Sequence, residues 1–333
     1  MRLRRHRLAA SAAATVAVLA VAGCGGSAGG GASSGNASGG GSGAVTLTVQ
    51  ETAGVPSAFV AFGIAKGFFD RHRLKVDLQS AQGGAATVPA LVSGKIQVGG
   101  SNVVSLLIAA AKGLPIQAIA PGTSAHGANE KDFGALMVAK DSPIRHVADL
   151  EGRTVAVNTL NNIAEVVVRA SLQKAGVDAS KVKLSEVDFP EMGPALAKGD
   201  VDAAFAIEPF VTIARRDGDR IIDYSYVSTE PGLQVGAYAV SRRFARESPG
   251  VVRRFRAAVG QTATYLMAHQ DEFRAFLSER AKTPARLART MQLPTFTTTL
   301  DTASMQRTAR LVRRYGLVTE PVSVGDLVGA GGA

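Results

Sequence analysis

The feature that most constrains the fold is a segment of ten residues that occurs twice. The first copy is PALVSGKIQV (89–98) and the second is PALAKGDVDA (194–203). Each copy predicts the end of a helix, a stop at glycine and a short buried strand. The residues before each copy match in the same order, as a strand, a helix and a second strand: 45–49, 58–66 and 74–78 in the first copy, and 154–158, 163–175 and 182–187 in the second.

Each copy therefore predicts a β-α-β-α-β unit, the building block of a parallel sheet covered by helices. Two such units predict an α/β fold with two lobes, each a mostly parallel sheet flanked by helices, and a ligand cleft between the lobes. The first lobe is expected to be discontinuous, with residues 45–133 and 242–324, and the second to span 134–241. A disordered, glycine-rich tail is predicted over 325–333.

The N-terminus has the three-part pattern of a secretory signal peptide. A basic start is followed by an apolar stretch that is too short to span a bilayer comfortably. The stretch ends in VAGC (21–24), which resembles a bacterial lipobox. That resemblance implies removal of residues 1–23 and acylation of Cys24 by fatty acids such as palmitate. Residues 24–44 predict a flexible tether, so the folded part is expected to be anchored by lipid on the outer face of the membrane.

Composition removes several classes of function. The net charge is +10, but no basic run interleaved with aromatic residues occurs, which argues against binding of nucleic acid. Cys24 is the only cysteine, so the folded part can have no disulfide, no cysteine-ligated metal and no catalytic thiol. The sequence also lacks a Gly-x-Ser-x-Gly elbow, a His-Glu-x-x-His pair and a Walker loop. We therefore expect no catalytic residues, no metal and no cofactor.

Several short motifs, in their order and spacing, resemble the substrate-binding proteins of the nitrate/sulfonate/taurine family of ABC transporters, which are related to the thiamine-pyrimidine-precursor binding proteins. They are AKGFFD (65–70), the two PAL segments, KGLPI (112–116), KDSPI (140–144), DLEGRTVAV (149–157), VDAA (201–204) and EPF (208–210). The resemblance implies a periplasmic-binding-protein fold of the second topological type. It also implies a monomer that delivers a small, anionic solute to the permease and ATPase subunits of an importer.

Ligands of parallel α/β sheets bind beyond the carboxyl ends of the strands, where helix N-termini offer free N–H groups to an anion. Polar residues in loops at such positions predict the ligand-binding site: Pro56, Ser57, Ser101, Asn102, Thr123, Asn158, Thr159, Asn161, Asn162 and Glu208. Ser101 and Asn161, on opposite lobes, are both expected to touch the solute. For each loop, helix capping alone is the competing interpretation, and Glu208 is expected to cap its own helix.

Three alternatives stay open. The solute could be a pyrimidine, a thiamine-precursor-like molecule or an aromatic acid, because the asparagines of 158–162 both donate and accept hydrogen bonds. The chain could be an enzyme of the same fold that acts on a sulfur or pyrimidine compound. It could also be a lipoprotein that senses solute for a surface receptor.

Overall fold

The computed structural model describes residues 43–128, 131–280, 282 and 284–329. The signal peptide, Cys24 and nearly all of the predicted tether lie outside the described residues. The strands are β1 (Val45–Thr52), β2 (Leu74–Ala81), β3 (Val98–Asn102), β4 (Ile116–Pro121), β5 (Thr123–Ser124), β6 (Gly134–Val138), β7 (Thr154–Val157), β8 (Lys183–Glu186), β9 (Ala203–Ile207), β10 (Arg220–Asp223), β11 (Gly236–Ser241) and β12 (Thr295–Phe296).

The helices are α1 (Val55–Ala65), α2 (Phe68–Arg71), α3 (Gly84–Ser93), α4 (Val103–Ala111), α5 (Ile163–Lys174), α6 (Phe189–Lys198), α7 (Phe210–Arg216), α8 (Ser225–Thr229), α9 (Arg242–Glu247), α10 (Pro249–Ala268), α11 (Gln270–Arg280), α12 (Ala285–Ala288), α13 (Thr302–Arg314) and α14 (Val324–Val328). Two short 3-10 helices cover Val147–Leu150 and Ala179–Lys181.

The strands form two five-stranded sheets with equivalent connections. The first sheet has the order β2-β1-β3-β11-β4, and the second has β8-β7-β9-β6-β10. In each sheet the first strand of the repeat pairs in parallel with the two that follow it. One antiparallel strand, β11 or β6, then joins the edge strand. The expected α/β fold with mostly parallel sheets is confirmed.

The repeated segment folds as its glycines predict. Helices α3 and α6 both end at a glycine in the left-handed conformation, Gly94 with φ 78° and Gly199 with φ 75°. A residue with a Cβ atom is strained there, which explains why the same residue type ends both helices. The chain then turns directly into β3 and β9, whose side chains are mostly buried.

The chain returns to the first sheet earlier than the sequence analysis predicts. Strand β11 falls within 134–241, the range predicted for the second lobe, but it lies in the first sheet between β3 and β4. The two crossing segments run side by side, since Ala125 N donates to Leu233 O at 2.9 Å and Val235 N donates to Thr123 O at 3.0 Å. The return crossing is therefore complete by β11.

The predicted disordered tail is also wrong for residues 325–329. Helix α14 begins after Ser323, whose hydroxyl accepts a hydrogen bond from Asp326 N at 3.1 Å. Leu327 and Val328 are buried. Gln117 Nε2 of β4 donates to Val328 O at 3.1 Å, so this helix covers the edge of the first sheet. The glycine-rich composition predicted a disordered tail, but it does not reveal the apolar pair Leu327 and Val328 between Gly325 and Gly329.

The helices after β11 enlarge the first half of the molecule. Helices α10 and α11 pack against α1, and α13 packs against α4. Phe59 of α1 stacks on Phe296 of β12, with 4.4 Å between ring centroids, inside a core that also contains Phe62 and Tyr238. None of the described helices is both long enough and apolar enough to cross a membrane.

Candidate functional site

A partly open cavity lies where the carboxyl edges of the two sheets meet. Its volume is about 50 Å³. The first sheet provides side chains from the ends of β1 and β3 and from the start of β11, and Thr123 of β5 joins them. The second sheet provides the residues after β7 and at the end of β9, together with Phe133 before β6. This is the position at which open α/β sheets bind ligands.

Six of the predicted site residues line this cavity: Pro56, Ser101, Asn102, Thr123, Asn158 and Asn162. They come from both sheets, and four of them, Ser101, Thr123, Asn158 and Asn162, are buried. The fold therefore gathers hydroxyl and amide groups from loops that lie up to 106 residues apart, between Pro56 and Asn162.

Four predicted residues do not line it. Ser57 faces another depression and donates to Gly54 O at 3.0 Å. Thr159 stands directly behind the lining and accepts a hydrogen bond from Asn162 Nδ2 at 2.7 Å. Asn161 is exposed in a left-handed turn with φ 53°, so Asn158 and Asn162 take the position expected for Asn161.

Glu208 is the fourth, and it is buried away from the cavity. Its carboxylate accepts hydrogen bonds from Thr212 N at 3.1 Å and from Thr212 Oγ1 at 2.9 Å. A third donor, Gln292 N, reaches it at 3.1 Å from the segment before β12. Glu208 thus bonds to the start of α7, as the competing interpretation of this residue expected. Burial raises the pKa of Glu208 to about 7.

Two asparagines begin the helices that point at the cavity. Asn102 Oδ1 accepts from Ser105 N at 2.9 Å and begins α4. Asn162 Oδ1 accepts from Ala164 N at 2.9 Å and begins α5. Capping and cavity lining are therefore compatible here, because both capping asparagines also border the cavity.

Asn162 also organises the polar side of the second sheet. Its Nδ2 donates to Asn158 Oδ1 at 2.8 Å as well as to Thr159 Oγ1. The network fixes the orientation of both amides, since Oδ1 of Asn162 must then be the acceptor that caps α5.

Hydrogen bonds join the two halves around the cavity. Asn158 Nδ2 donates to Gln82 O at 2.9 Å. Ile163 N, the first residue of α5, donates to Asn102 Oδ1 at 3.2 Å. Gly83 lies so close to the second half that an added Cβ would be 3.0 Å from Asn158 Nδ2. The described conformation is therefore a closed one.

The lining also contains a buried carboxyl group that is not among the residues predicted from the sequence. Glu51, one residue before the end of β1, is only 4% exposed. Thr52 N donates to its Oε1 at 2.8 Å, and the Tyr238 hydroxyl of β11 donates to the same carboxylate. Burial raises the pKa of Glu51 to about 7, although these two hydrogen bonds oppose the shift.

A sequence pattern for Glu51 exists. Buried positions alternate along β1, at Leu47 and Val49, and Glu51 continues the same phase. A carboxylate in the apolar phase of a strand is unusual and indicates a partner or a function. The strand predicted over 45–49 ends before Glu51, whereas β1 continues to Thr52.

The family model described as NMT1/THI5 like matches residues 57–273. The chain belongs to the NMT1/THI5-like family. Among curated proteins, the taurine-binding periplasmic protein of Escherichia coli (strain K12) is 28% identical over 224 residues, which are 67% of this chain and 67% of that protein.

Several solved structures of other proteins share the fold of this chain. The alkanesulfonate-binding protein SsuA of Xanthomonas axonopodis pv. citri, bound to MOPS, is 20% identical, with a TM-score of 0.74 over 87% of this chain and 99% of that one. The ligand-binding component of an ABC-type import system from Staphylococcus aureus is 14% identical, with a TM-score of 0.72 over 85% and 96%. The desulfurization enzyme DszB is 17% identical, with a TM-score of 0.59 over 85% and 96%. The expected periplasmic-binding-protein fold is confirmed.

Proposed function

We propose that this chain is an extracytoplasmic solute-binding protein that delivers a small sulfonate-type solute to an ABC importer. The observation that carries the proposal is the cavity, which is lined by hydrogen-bonding side chains from both halves of the molecule. Membership of the NMT1/THI5-like family and the similarity to a taurine-binding protein support the same conclusion.

The size of the cavity favours a compact solute. A cavity needs roughly 10–15 Å³ to hold one water molecule, so a volume of about 50 Å³ corresponds to a few water molecules. A sulfonate group with a short chain is of this order. A two-ring aromatic solute requires the halves to move apart.

The surroundings of the cavity suit an oxyanion. Helices α4 and α5 both begin at lining asparagines, and the N-terminus of a helix carries partial positive charge. The hydroxyl groups of Ser101 and Thr123 and the Nδ2 of Asn158 add neutral donors. These donors can satisfy the oxygens of an anion by hydrogen bonds, which lowers the cost of burying its charge.

Closure provides the transport mechanism. A solute that contacts both halves stabilises the closed conformation over an open one. The hydrogen bonds from Asn158 to Gln82 and from Ile163 to Asn102 form only when the halves meet. The closed form is then the one presented to the permease subunits.

Catalysis by the cavity has less support. Similarity of fold to DszB makes an enzyme the second candidate. The lining includes the hydroxyl groups of Ser101 and Thr123 and the carboxyl group of Glu51, but no described lining residue is a cysteine that could act as a thiol nucleophile or a histidine that could activate a hydroxyl group. A binding protein leaves its solute chemically unchanged, which separates the two candidates.

We also propose that Cys24 is acylated and holds the protein on the outer face of the membrane. The lipobox-like VAGC and the glycine- and serine-rich segment after it support this proposal. Mass spectrometry of the mature N-terminus should find a lipid-modified Cys24, and Cys24→Ala should release the protein from the membrane fraction. An unmodified, free protein would contradict the anchor without touching the binding function.

A thermal-shift screen of the purified protein tests the binding function. The panel should contain short alkanesulfonates, taurine, nitrate, carboxylates and pyrimidines. A solute that binds only the folded state stabilises it by about 2.7 kcal/mol at a hundredfold excess over its dissociation constant. We expect shifts with the small sulfonates. A shift with pyrimidines alone would overturn the sulfonate class, and conversion of a panel compound would favour the enzyme.

A further inference from the structure

The cavity has an acidic group but no basic side chain. Among the described residues that line it, Glu51 is the one acidic residue, and none of the described lining residues is lysine, arginine or histidine. The remaining titratable groups in the lining are the phenols of Tyr226 and Tyr238, and burial raises the pKa of both above the ordinary tyrosine value. A simple anion would therefore share a closed space with a carboxyl group and no cation.

Glu51 is held in place by the strands around it. It pairs in parallel with Ser80 of β2, next to the residues of β1 that pair with β3, and an added Cβ at Gly100 would stand 1.8 Å from Glu51 Oε2. The absent side chain of Gly100 thus makes the space that the carboxyl group occupies. Thr52 N and the Tyr238 hydroxyl fix it from the other sides. The group is positioned rather than free to turn away.

The other buried glutamate shows what a purely structural carboxylate looks like in this chain. Glu208 receives three donors, two from Thr212 and one from Gln292, and lies outside the cavity. Glu51 receives one backbone donor and one hydroxyl, and it borders the cavity. Because an ionised carboxylate accepts about four hydrogen bonds, Glu51 retains acceptor capacity on the side where a solute sits.

Resting on the proposed function, we propose that Glu51 is the specificity-determining residue, and that it accepts hydrogen bonds from an ammonium group of the solute. The solute class is then a short aminosulfonate, with the sulfonate held by the neutral donors and helix N-termini. The ammonium replaces the missing cation, so that the closed cavity contains one carboxylate, one ammonium and one sulfonate.

The charge state of Glu51 supports this assignment. With a pKa of about 7 in the free protein, the carboxyl group changes charge near neutral pH. An ammonium binds the ionised form, whereas an anion without an amine binds the protonated form better. The two kinds of solute therefore predict opposite pH dependence.

Calorimetric titration of the wild-type protein and of Glu51→Gln with taurine and with ethanesulfonate tests the proposal. The two probes differ only by the amine. At pH 8 we expect the wild type to prefer taurine, and Glu51→Gln to lower the affinity for taurine by about 100-fold, the range for a lost hydrogen bond to a charged group. Ethanesulfonate should bind the variant at least as tightly as the wild type.

Glu208→Gln is the matched control, because it removes a buried carboxyl group with a similar pKa outside the cavity. It should leave the ratio of the two affinities unchanged. An unchanged ratio in Glu51→Gln, with both probes still binding the wild type, would overturn the role of Glu51 and leave the solute-binding function standing. Failure of both probes to bind the wild type would instead contradict the sulfonate function.

If Glu51→Gln does not fold, the pH dependence of taurine and ethanesulfonate binding to the wild type still tests the proposal. Taurine affinity should fall as the pH is lowered from 8 to 5.5, and ethanesulfonate affinity should rise. Parallel profiles for the two probes would overturn the proposal.

Discussion

The two copies of the β-α-β-α-β unit share their strand order but bring different side chains to the cavity. The first copy contributes Glu51, Ser101 and Asn102. The second contributes the amides of Asn158 and Asn162, together with apolar groups such as Ile207. Asn102 and Ile207 end the equivalent strands β3 and β9. Duplication therefore fixes where side chains meet the cavity, while divergence of the two copies decides what they recognise.

This difference divides the work between the copies. The first copy carries the titratable group that, in our proposal, reads the charge of the solute. The second carries amides that hydrogen-bond to one another and across to the first copy. The first copy is thus assigned to selectivity and the second to closure, and the following predictions test this division from the largest expected effect to the smallest.

The largest effect concerns stability against pH, where the two copies should behave alike. Both Glu51 and Glu208 have pKa values raised from 4.5 to about 7. Between these values the unfolded chain has released protons that the folded chain retains, so the free energy of unfolding falls as pH rises from about 4.5 to 7. Each Gln variant should remove up to about 3 kcal/mol of that decrease. Urea unfolding at several pH values measures it.

If the free energy of unfolding of Glu51→Gln fell with pH as much as that of the wild type, this result would contradict the buried, protonated carboxyl group described for β1. Equal flattening in Glu51→Gln and Glu208→Gln, with solute selectivity changed only in Glu51→Gln, would sharpen the distinction between a structural and a recognition carboxylate.

The next effect concerns the capping asparagine of the second copy. Asn162→Ala removes the cap of α5 and leaves Asn158 Oδ1 without its donor. Loss of a cap costs about 1 kcal/mol, and a buried polar atom without its partner adds about 1 kcal/mol or more. We expect a loss of about 2 kcal/mol in the free energy of unfolding, together with weaker solute binding.

Asp301→Ala is the control for Asn162→Ala. Asp301 caps α13 by accepting from Ser304 N at 2.9 Å, and it does not line the cavity. It should cost about 1 kcal/mol of stability and leave the dissociation constant of the solute unchanged. Full solute affinity in Asn162→Ala would remove this residue from the binding site.

The smallest effect concerns the close approach of the two copies at Gly83. An added Cβ would lie 3.0 Å from Asn158 Nδ2 and 3.2 Å from Thr159 Oγ1, so Gly83→Ala should hold the halves slightly apart. We expect affinity to fall by roughly 3- to 10-fold, in line with a packing strain of about 1 kcal/mol. Affinity equal to that of the wild type would show that closure tolerates the methyl group.

Gly193→Ala in α6 is the matched control for Gly83→Ala, since nothing lies within 4 Å of its added Cβ. Alanine inside a helix should stabilise the protein by up to about 1 kcal/mol. Solute binding should not change.

Much of the fold could be predicted because short sequence patterns, each of a few residues, determine the elements of the repeat. The PAL segments, the glycines after them and the alternation along 45–49 and 154–158 act over a few residues. The position of β11 could not be read in this way, because its pairing with β3 and β4 depends on contacts that are more than 100 residues apart in the chain. Helix α14 was missed because glycines surround its short apolar segment.

The candidate site was predictable in part for the same reason. Asn102 and Asn162 stand at helix starts, where capping and ligand contact are both expected, and the structure places both at the cavity. Asn161 and Asn162 are neighbours in one turn, and the backbone conformation of that turn decides which of the two side chains faces the cavity. Tyr238 reaches Glu51 from β11, which sequence analysis had placed in the other half.

A crystal structure of the protein with taurine at pH 8 tests the central claim most directly. Our account predicts one taurine in the cavity between the two copies. Its sulfonate oxygens should lie within hydrogen-bonding distance of donors from both copies, and its amine should lie within hydrogen-bonding distance of Glu51. A taurine bound elsewhere, or one whose amine points away from Glu51 toward solvent, would contradict it.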